Sequence, residues 1–199
     1  MRFVALLMND TTFLLDESIT KLREIQTLEA KLAIPQSPNA SADDVKQRQE
    51  DEATMAGLER QASSYLSLGN ETVFMLNYLT ENTSIVSGFM VSEIVERLAA
   101  MLNFNLNSLV GPKCTELKVK SPEKYQFNPK KLLRDIIGIY VHLAHRDEFI
   151  LATAKDTRSY NKALFIKAAS ILCKNALLNT VCNEMRYFSY ESASRICFS

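Results

Sequence analysis

The sequence predicts an all-α fold of stacked helices, an armadillo-like solenoid fragment. Three observations carry that prediction. Apolar residues recur at steps of three and four along most of the 199 residues. No segment of useful length alternates apolar and polar residues with turn residues at hairpin spacing, so strands are not indicated. The helical segments are numerous, unequal in length and joined by short loops. Two of them are apolar nearly all round, which suits a stack better than a four-helix bundle, although no solenoid-type repeat is visible.

The first helix is predicted over about residues 3–33, where Leu15, Ile19, Leu22, Ile25, Leu28 and Leu32 share one face. Pro35 and Pro38 end it. Ser41 with Asp44 three residues on reads as a capping box, opening a second helix that runs to about Leu68. Its polar start, DDVKQRQEDEA, predicts a solvated face. Gly69-Asn70 is expected to break the chain before a short helix from Glu71 to Leu79, and TENTSIVSG to form a loop. Ser92 is expected to cap a helix with Val95, Leu98, Leu102, Leu106 and Leu109 on one face, stopped at Gly111-Pro112.

Between that helix and the next lies LVGPKCTELKVKSPEKYQFNPKKLL, with three prolines and six lysines. TELKVK is expected to be extended. Ser121-Pro122 and Asn128-Pro129 each pair an N-cap residue with a proline suited to the first helical position. Asn128 therefore opens a buried helix bearing Leu132, Leu133, Ile136, Ile137, Ile139, Tyr140 and Leu143, and Tyr125 and Phe127 should anchor the connection to the core. A further helix is expected over DEFILATAKD. After TRSY a last one follows, over NKALFIKAASILCKNALLN, capped by Thr157 or Ser159.

Signals for chemistry are absent by comparison. No phosphate loop, dinucleotide fingerprint, metalloprotease motif or nucleophile elbow occurs, so no catalytic residue, no cofactor and no metal is assigned. His142 and His145 share a helix with Asp147 and Glu148 just beyond. The plain reading is a pair of surface histidines near a helix C-terminus, since a rigid third ligand is missing. Asp156, Arg158 and Tyr160 form a polar group that helix capping, with Arg158 paired to a carboxylate, explains without catalysis. Cys114, Cys173, Cys182 and Cys197 never form C-x-x-C, which predicts neither a zinc ribbon nor a disulfide framework. With 23 basic and 23 acidic residues there is no whole-chain charge to draw nucleic acid or membrane. Lys113, Lys118, Lys120, Lys124, Lys130 and Lys131 form a basic patch suited to an acidic partner or to the C-terminal end of a neighbouring helix, without the interleaved exposed aromatics of a nucleic-acid surface. The apolar run from Phe3 to Met8 is too short for a signal peptide, so the expected location is cytoplasmic and/or nuclear.

EIVERLAAMLNFNLNSLVGPKCTELKVKSPEKYQFNPKKLL, then IYVHLA and DTRSYNKALF, closely resembles the core of the U-box ubiquitin chain-elongation factors, the ubiquitin–ubiquitin ligases. RFVALLMNDTTFLLDESITKLREIQ resembles an earlier segment of that core. Gly111-Pro112, Pro122-Glu123-Lys124-Tyr125, Pro129-Lys130 and Arg158-Ser159-Tyr160 carry the match. The resemblance covers residues 1–172 as a partial core and leaves 173–199 as a divergent tail, with Met1 falling inside the family core and no room for a U-box before Ser199. It implies a curved helical scaffold acting in polyubiquitination and ubiquitin-dependent degradation. Its implied partners are ubiquitinated substrates, an AAA ATPase segregase and, through a U-box, a ubiquitin-conjugating enzyme. Catalytic contacts in the family belong to the U-box, so these residues are expected to be inactive alone. The alternative is a non-catalytic helical adaptor that binds ubiquitin-pathway partners.

Overall fold

A computed structural model describes residues 2–37, 40–174, 187–188 and 190–192. Among the described residues the fold is all-α, and no helix is long and apolar enough to cross a membrane. The helices are α1 (Arg2–Leu32), α2 (Ala42–Glu81), α3 (Thr83–Phe89), α4 (Ser92–Val110), α5 (Pro129–His142), α6 (Asp147–Lys155) and α7 (Lys162–Lys174). Between α4 and α5 the chain makes two short 3-10 turns, Pro112–Leu117 and Pro122–Tyr125.

Helices α1 and α2 pack closely against each other along one seam, with Leu15, Leu22 and Ile25 facing Ala62, Leu66 and the rest of the core. The capping box at Ser41 is present in both directions. Its hydroxyl accepts from Asp44 N at 3.1 Å, and Asp44 Oδ2 accepts from Ser41 N at 3.0 Å. The Ser41 hydroxyl, donating to Asp44 Oδ2 at 2.7 Å, and after it that backbone N–H hold the Asp44 carboxyl below the usual carboxylate range. As expected, the start of α2 is solvated. Arg48 turns back to α1, donating to Leu32 O at 2.9 Å and Ile34 O at 3.0 Å, so a side chain satisfies carbonyls that the end of α1 leaves open. Lys31 pairs with Asp51 across the same junction at 2.5 Å.

Five sequence expectations are corrected. The Gly69-Asn70 break does not exist: α2 runs through it to Glu81, with Gly69 buried against Leu14 and Leu15 of α1. Burial against a neighbouring helix outweighs the roughly 1 kcal/mol that glycine costs inside a helix. TENTSIVSG is not a loop, because Asn82 Oδ1 accepts from Ser84 N at 3.0 Å and starts α3. Ser92 is the first residue of α4, whose N-cap is Val91, with no side-chain cap. The TEL of TELKVK belongs to a 3-10 turn that follows Pro112. Asn161, not Thr157 or Ser159, caps α7, accepting from Ala163 N at 2.9 Å. The cysteine spacing predicted no disulfide framework; Cys173 is nonetheless disulfide-bonded, while Cys114 is a free thiol. Cys182 and Cys197 lie outside the described residues, as do the NALLN end of the last expected helix and Pro38.

The second half of the core is aromatic. Tyr140 of α5 lies 5.6 Å from the ring of Phe149, 5.1 Å from Phe165 and 5.4 Å from Phe188, all fully or almost fully buried. The pairs with Phe165 and Phe188 are edge to face, and aromatic pairs of that kind add about 0.5–1.5 kcal/mol each beyond the area they bury. Elsewhere apolar side chains face outward. Phe3, Leu6 and Phe13 of α1 are more than half exposed, and Leu68, Met75 and Tyr78 of α2 are exposed too. The rings of Phe13 and Tyr65 meet edge to face at 6.0 Å, which joins the two helices on that side.

Candidate functional surface around the connection from α4 to α5

Most of the local cues in the connection help to fix its path. Gly111 is extended (φ −71°, ψ −175°), the geometry a residue before proline favours, and Pro112 then opens the first 3-10 turn. Asn128 caps α5 as the sequence predicts, its Oδ1 accepting from Lys131 N at 3.0 Å, with Pro129 in the first turn. Ser121 precedes Pro122 in the same arrangement but makes no side-chain cap bond. Gln126 sits at φ 54°, in the left-handed region, where the chain reverses before Phe127.

Anchors on both long helices fix this path. The buried Tyr125 ring ends in a hydroxyl that donates to Glu59 Oε1 of α2 at 3.0 Å. Burial first, and that carboxylate second, push the Tyr125 phenol well above its ordinary pKa of 10. Lys124 shares the same carboxylate at 3.5 Å. Asn70 Nδ2 of α2 donates to Gln126 O at 3.1 Å. From α1, Glu29 accepts the Lys120 backbone N–H at 3.0 Å, and Arg23 pairs with Glu116 at 3.0 Å. Phe127 is buried as expected. Lys113, Lys118, Lys120, Lys124, Lys130 and Lys131 all point to solvent around these anchors.

The histidines separate. His142 is half-buried, its Nδ1 3.2 Å from Thr80 Oγ1 of α2, and burial lowers its pKa while nearby Glu81 partly opposes the shift. His145 is exposed, 5.6 Å from the ring of Tyr187. Among the described residues no His, Cys, Asp or Glu group is arranged to hold a metal ion.

Asp156, Arg158 and Tyr160 divide their roles. Asp156 Oδ2 accepts from Asn103 Nδ2 at 2.9 Å, and Asp156 Oδ1 from the backbone N–H of Arg158 at 3.3 Å. Asn103 also donates to Thr153 O at 3.1 Å and accepts from the buried Tyr140 hydroxyl at 2.7 Å. Tyr160 pairs with Ser192 at 2.9 Å. The expected ion pair for Arg158 is not formed: the guanidinium has no carboxylate partner among the described residues. Sequence reasoning missed Asn103 as the hub. Its signal was an asparagine in the apolar run of α4, where an unsatisfied amide would be costly.

The sequence model described as "Ubiquitin elongating factor core" matches residues 1–191. The chain is 49% identical over 176 residues to the ubiquitin conjugation factor E4 of Schizosaccharomyces pombe, a span that is 88% of this chain and 17% of that protein. It is 43% identical over 174 residues to the E4 ubiquitin-protein ligase UFD2 of Saccharomyces cerevisiae, covering 86% of this chain and 18% of that protein. Identity to the probable ubiquitin conjugation factor E4 of Arabidopsis thaliana is 39% over 175 residues, 86% of this chain and 16% of that protein. The chain thus spans about one-sixth of the length of these relatives.

Proposed function

Because the chain belongs to the ubiquitin elongating factor core family, we propose that it forms part of the helical core of a ubiquitin–ubiquitin ligase. In this reading it holds an already ubiquitinated substrate at a set distance from a U-box, in polyubiquitination and ubiquitin-dependent protein catabolism. The observation that carries the reading is the match across residues 1–191, supported by a connection anchored to both long helices. Tyr125, Glu29, Glu59 and Asn70 tie the path between α4 and α5 to α1 and α2, and the one hydroxyl among them, that of Tyr125, belongs to a buried ring whose phenol burial and Glu59 hold well above its ordinary pKa. A part of that kind spaces other parts. Charged conjugating enzyme would be recruited through the U-box, substrates would arrive from an AAA ATPase segregase, and the work would take place in the cytoplasm or nucleus.

Exposed Phe3, Leu6, Phe13, Leu68, Met75 and Tyr78 support a slice of an armadillo-like stack, whose neighbouring helices would cover such faces. They also favour a second reading, a non-catalytic adaptor that uses them to bind ubiquitin-pathway partners. A reconstituted elongation assay separates the two. The 199-residue chain alone should not discharge ubiquitin from a loaded conjugating enzyme; the same chain fused to a U-box should extend chains on a mono-ubiquitinated substrate. Robust discharge by the chain alone would overturn the scaffold reading. Inhibition of a full-length ligase by excess chain, with an inert fusion, would leave the adaptor.

A further inference from the structure

Charge is spread unevenly along a chain whose formal net charge is zero. Lysines crowd the connection from α4 to α5, whereas residues 3–20 and 61–96 contain no lysine or arginine. Those stretches include the end of the α1–α2 pair away from its connecting loop, and the exposed apolar side chains gather there. On α1, Phe3, Leu6, Asp10, Phe13 and Glu17 recur at steps of three and four and so share one stripe. On α2, Tyr65, Leu68, Glu71, Met75 and Tyr78 do the same. Leu14 packs on Gly69 in the seam between the helices, and the rings of Phe13 and Tyr65 meet beside it, so the two stripes adjoin. Within them the only charged groups are Asp10, Glu17 and Glu71, and none of these forms an ion pair among the described residues. Arg97 and Arg158 approach α1 on a different side, beside Asn9 and Asp16. Arg2 and Lys21 flank the α1 stripe at its two ends, and Lys21 is paired with Glu24.

We propose that this face docks a basic amphipathic helix of a partner protein, with the helix's apolar side on the exposed Phe13, Leu6, Leu68 and Tyr78 and its lysines or arginines against Asp10, Glu17 and Glu71. An exposed apolar patch bordered by polar groups marks an interaction surface, and two packed helices offer a third a furrow to lie in. Charge selects the occupant. An acidic helix would set like charges against three carboxylates, and a neutral one would leave them unpaired at the rim. A basic helix pairs all three, which fixes its orientation and rejects other partners. The same carboxylates oppose an anionic membrane surface. Docking of this kind rests on the adaptor reading of these side chains and supplies the chemistry of the partner. It is measured without any ubiquitin component, so its failure is distinct from failure in the elongation assay.

The test titrates the 199-residue chain into a fluorescein-labelled helical peptide with leucines along one face and lysines beside them, followed by anisotropy. One control replaces the lysines with glutamates, the other the leucines with serines. Saturable binding of the leucine–lysine peptide is expected, at least about tenfold tighter than either control and weakening as salt is raised. Leu6→Ser with Leu68→Ser should weaken it at least about tenfold. Asp10→Lys with Glu71→Lys should weaken it at least about fivefold and strengthen binding of the glutamate control. All four positions are exposed, so the melting temperature should stay within about two degrees. No saturable binding, equal binding of either control, or binding that ignores both double variants would each overturn the proposal. So would a dimer, seen by light scattering and dispersed by Leu6→Ser with Leu68→Ser, in a chain that does not take the peptide; a second copy would then cover this face.

Discussion

Gly69 and Gly111 each follow an apolar helical run, and the backbone passes straight through the first while turning at the second. The difference lies in what comes next and what lies alongside. After Gly111, Pro112 has no N–H to continue the ladder, and its ring would collide with the carbonyl one turn back, so α4 ends. Asn70 imposes no such obstacle. Leu14 and Leu15 cover Gly69, and a Cβ added there would meet them at 3.6 and 3.5 Å, ordinary contact distances. At Gly111 the same Cβ would come to 2.2 Å from the Asn107 carbonyl oxygen. One glycine is tolerated in its place and the other is required. A glycine punctuates a helix when its neighbour in sequence refuses to continue, not by its own flexibility.

The largest expected effect tests the chain beyond the second glycine. Tyr125→Ala should destabilise the fold by about 3–5 kcal/mol, seen in chemical denaturation, since it empties a fully buried ring site and removes the hydroxyl bond to Glu59. Gly111→Ala should cost about 1–3 kcal/mol, because the obstacle is backbone and the turn must shift. Gly69→Ala should go the other way and stabilise by about 0.5–1 kcal/mol, by reducing the freedom of the unfolded chain. A loss of stability at Gly69→Ala would mean that α2 does hinge there, and the comparison would fail.

Smaller effects refine it. His142 titrates in the folded state below its ordinary 6.5, so the unfolded chain binds the proton more readily and stability falls as pH drops through and below that value. The melting temperature should therefore decline from pH 7 to pH 5, and His142→Gln should flatten part of that slope. Smallest of all, Lys118→Ala with Lys120→Ala should change stability by less than about 0.5 kcal/mol, because the bond to Glu29 comes from the Lys120 backbone. If these lysines proved essential to folding, the connection would be a charged hub rather than an anchored spacer.

Much of the helical order was legible because it follows local rules. The Ser41–Asp44 box, the Asn128-Pro129 start and the buried Tyr125 are each decided within a few residues. What escaped depends on distant neighbours. Helix α2 continues past Gly69 because α1 covers it, and Asn103 is buried because Tyr140, Thr153 and Asp156 arrive from two other helices and the turn beyond. That Arg158 has no carboxylate partner among the described residues was likewise not legible in the local sequence. Physical reading found no catalytic group, and the family came from motif resemblance, since rigid spacing leaves no chemical signature at single residues.

The uninterrupted α2 has a mechanical consequence. At 1.5 Å per residue its 40 residues reach about 60 Å, and between Ala42 and Ala53 not one of them is buried. That stretch is an outrigger, tied near its outer end by Arg48 to the carbonyls of Leu32 and Ile34 and by Lys31 against Asp51. With no pivot at Gly69, a load applied to the tip is not absorbed midway. A continuous helix would carry it toward the end that bears Thr80 and meets α5, so that pushing on one end of α2 would tilt the other.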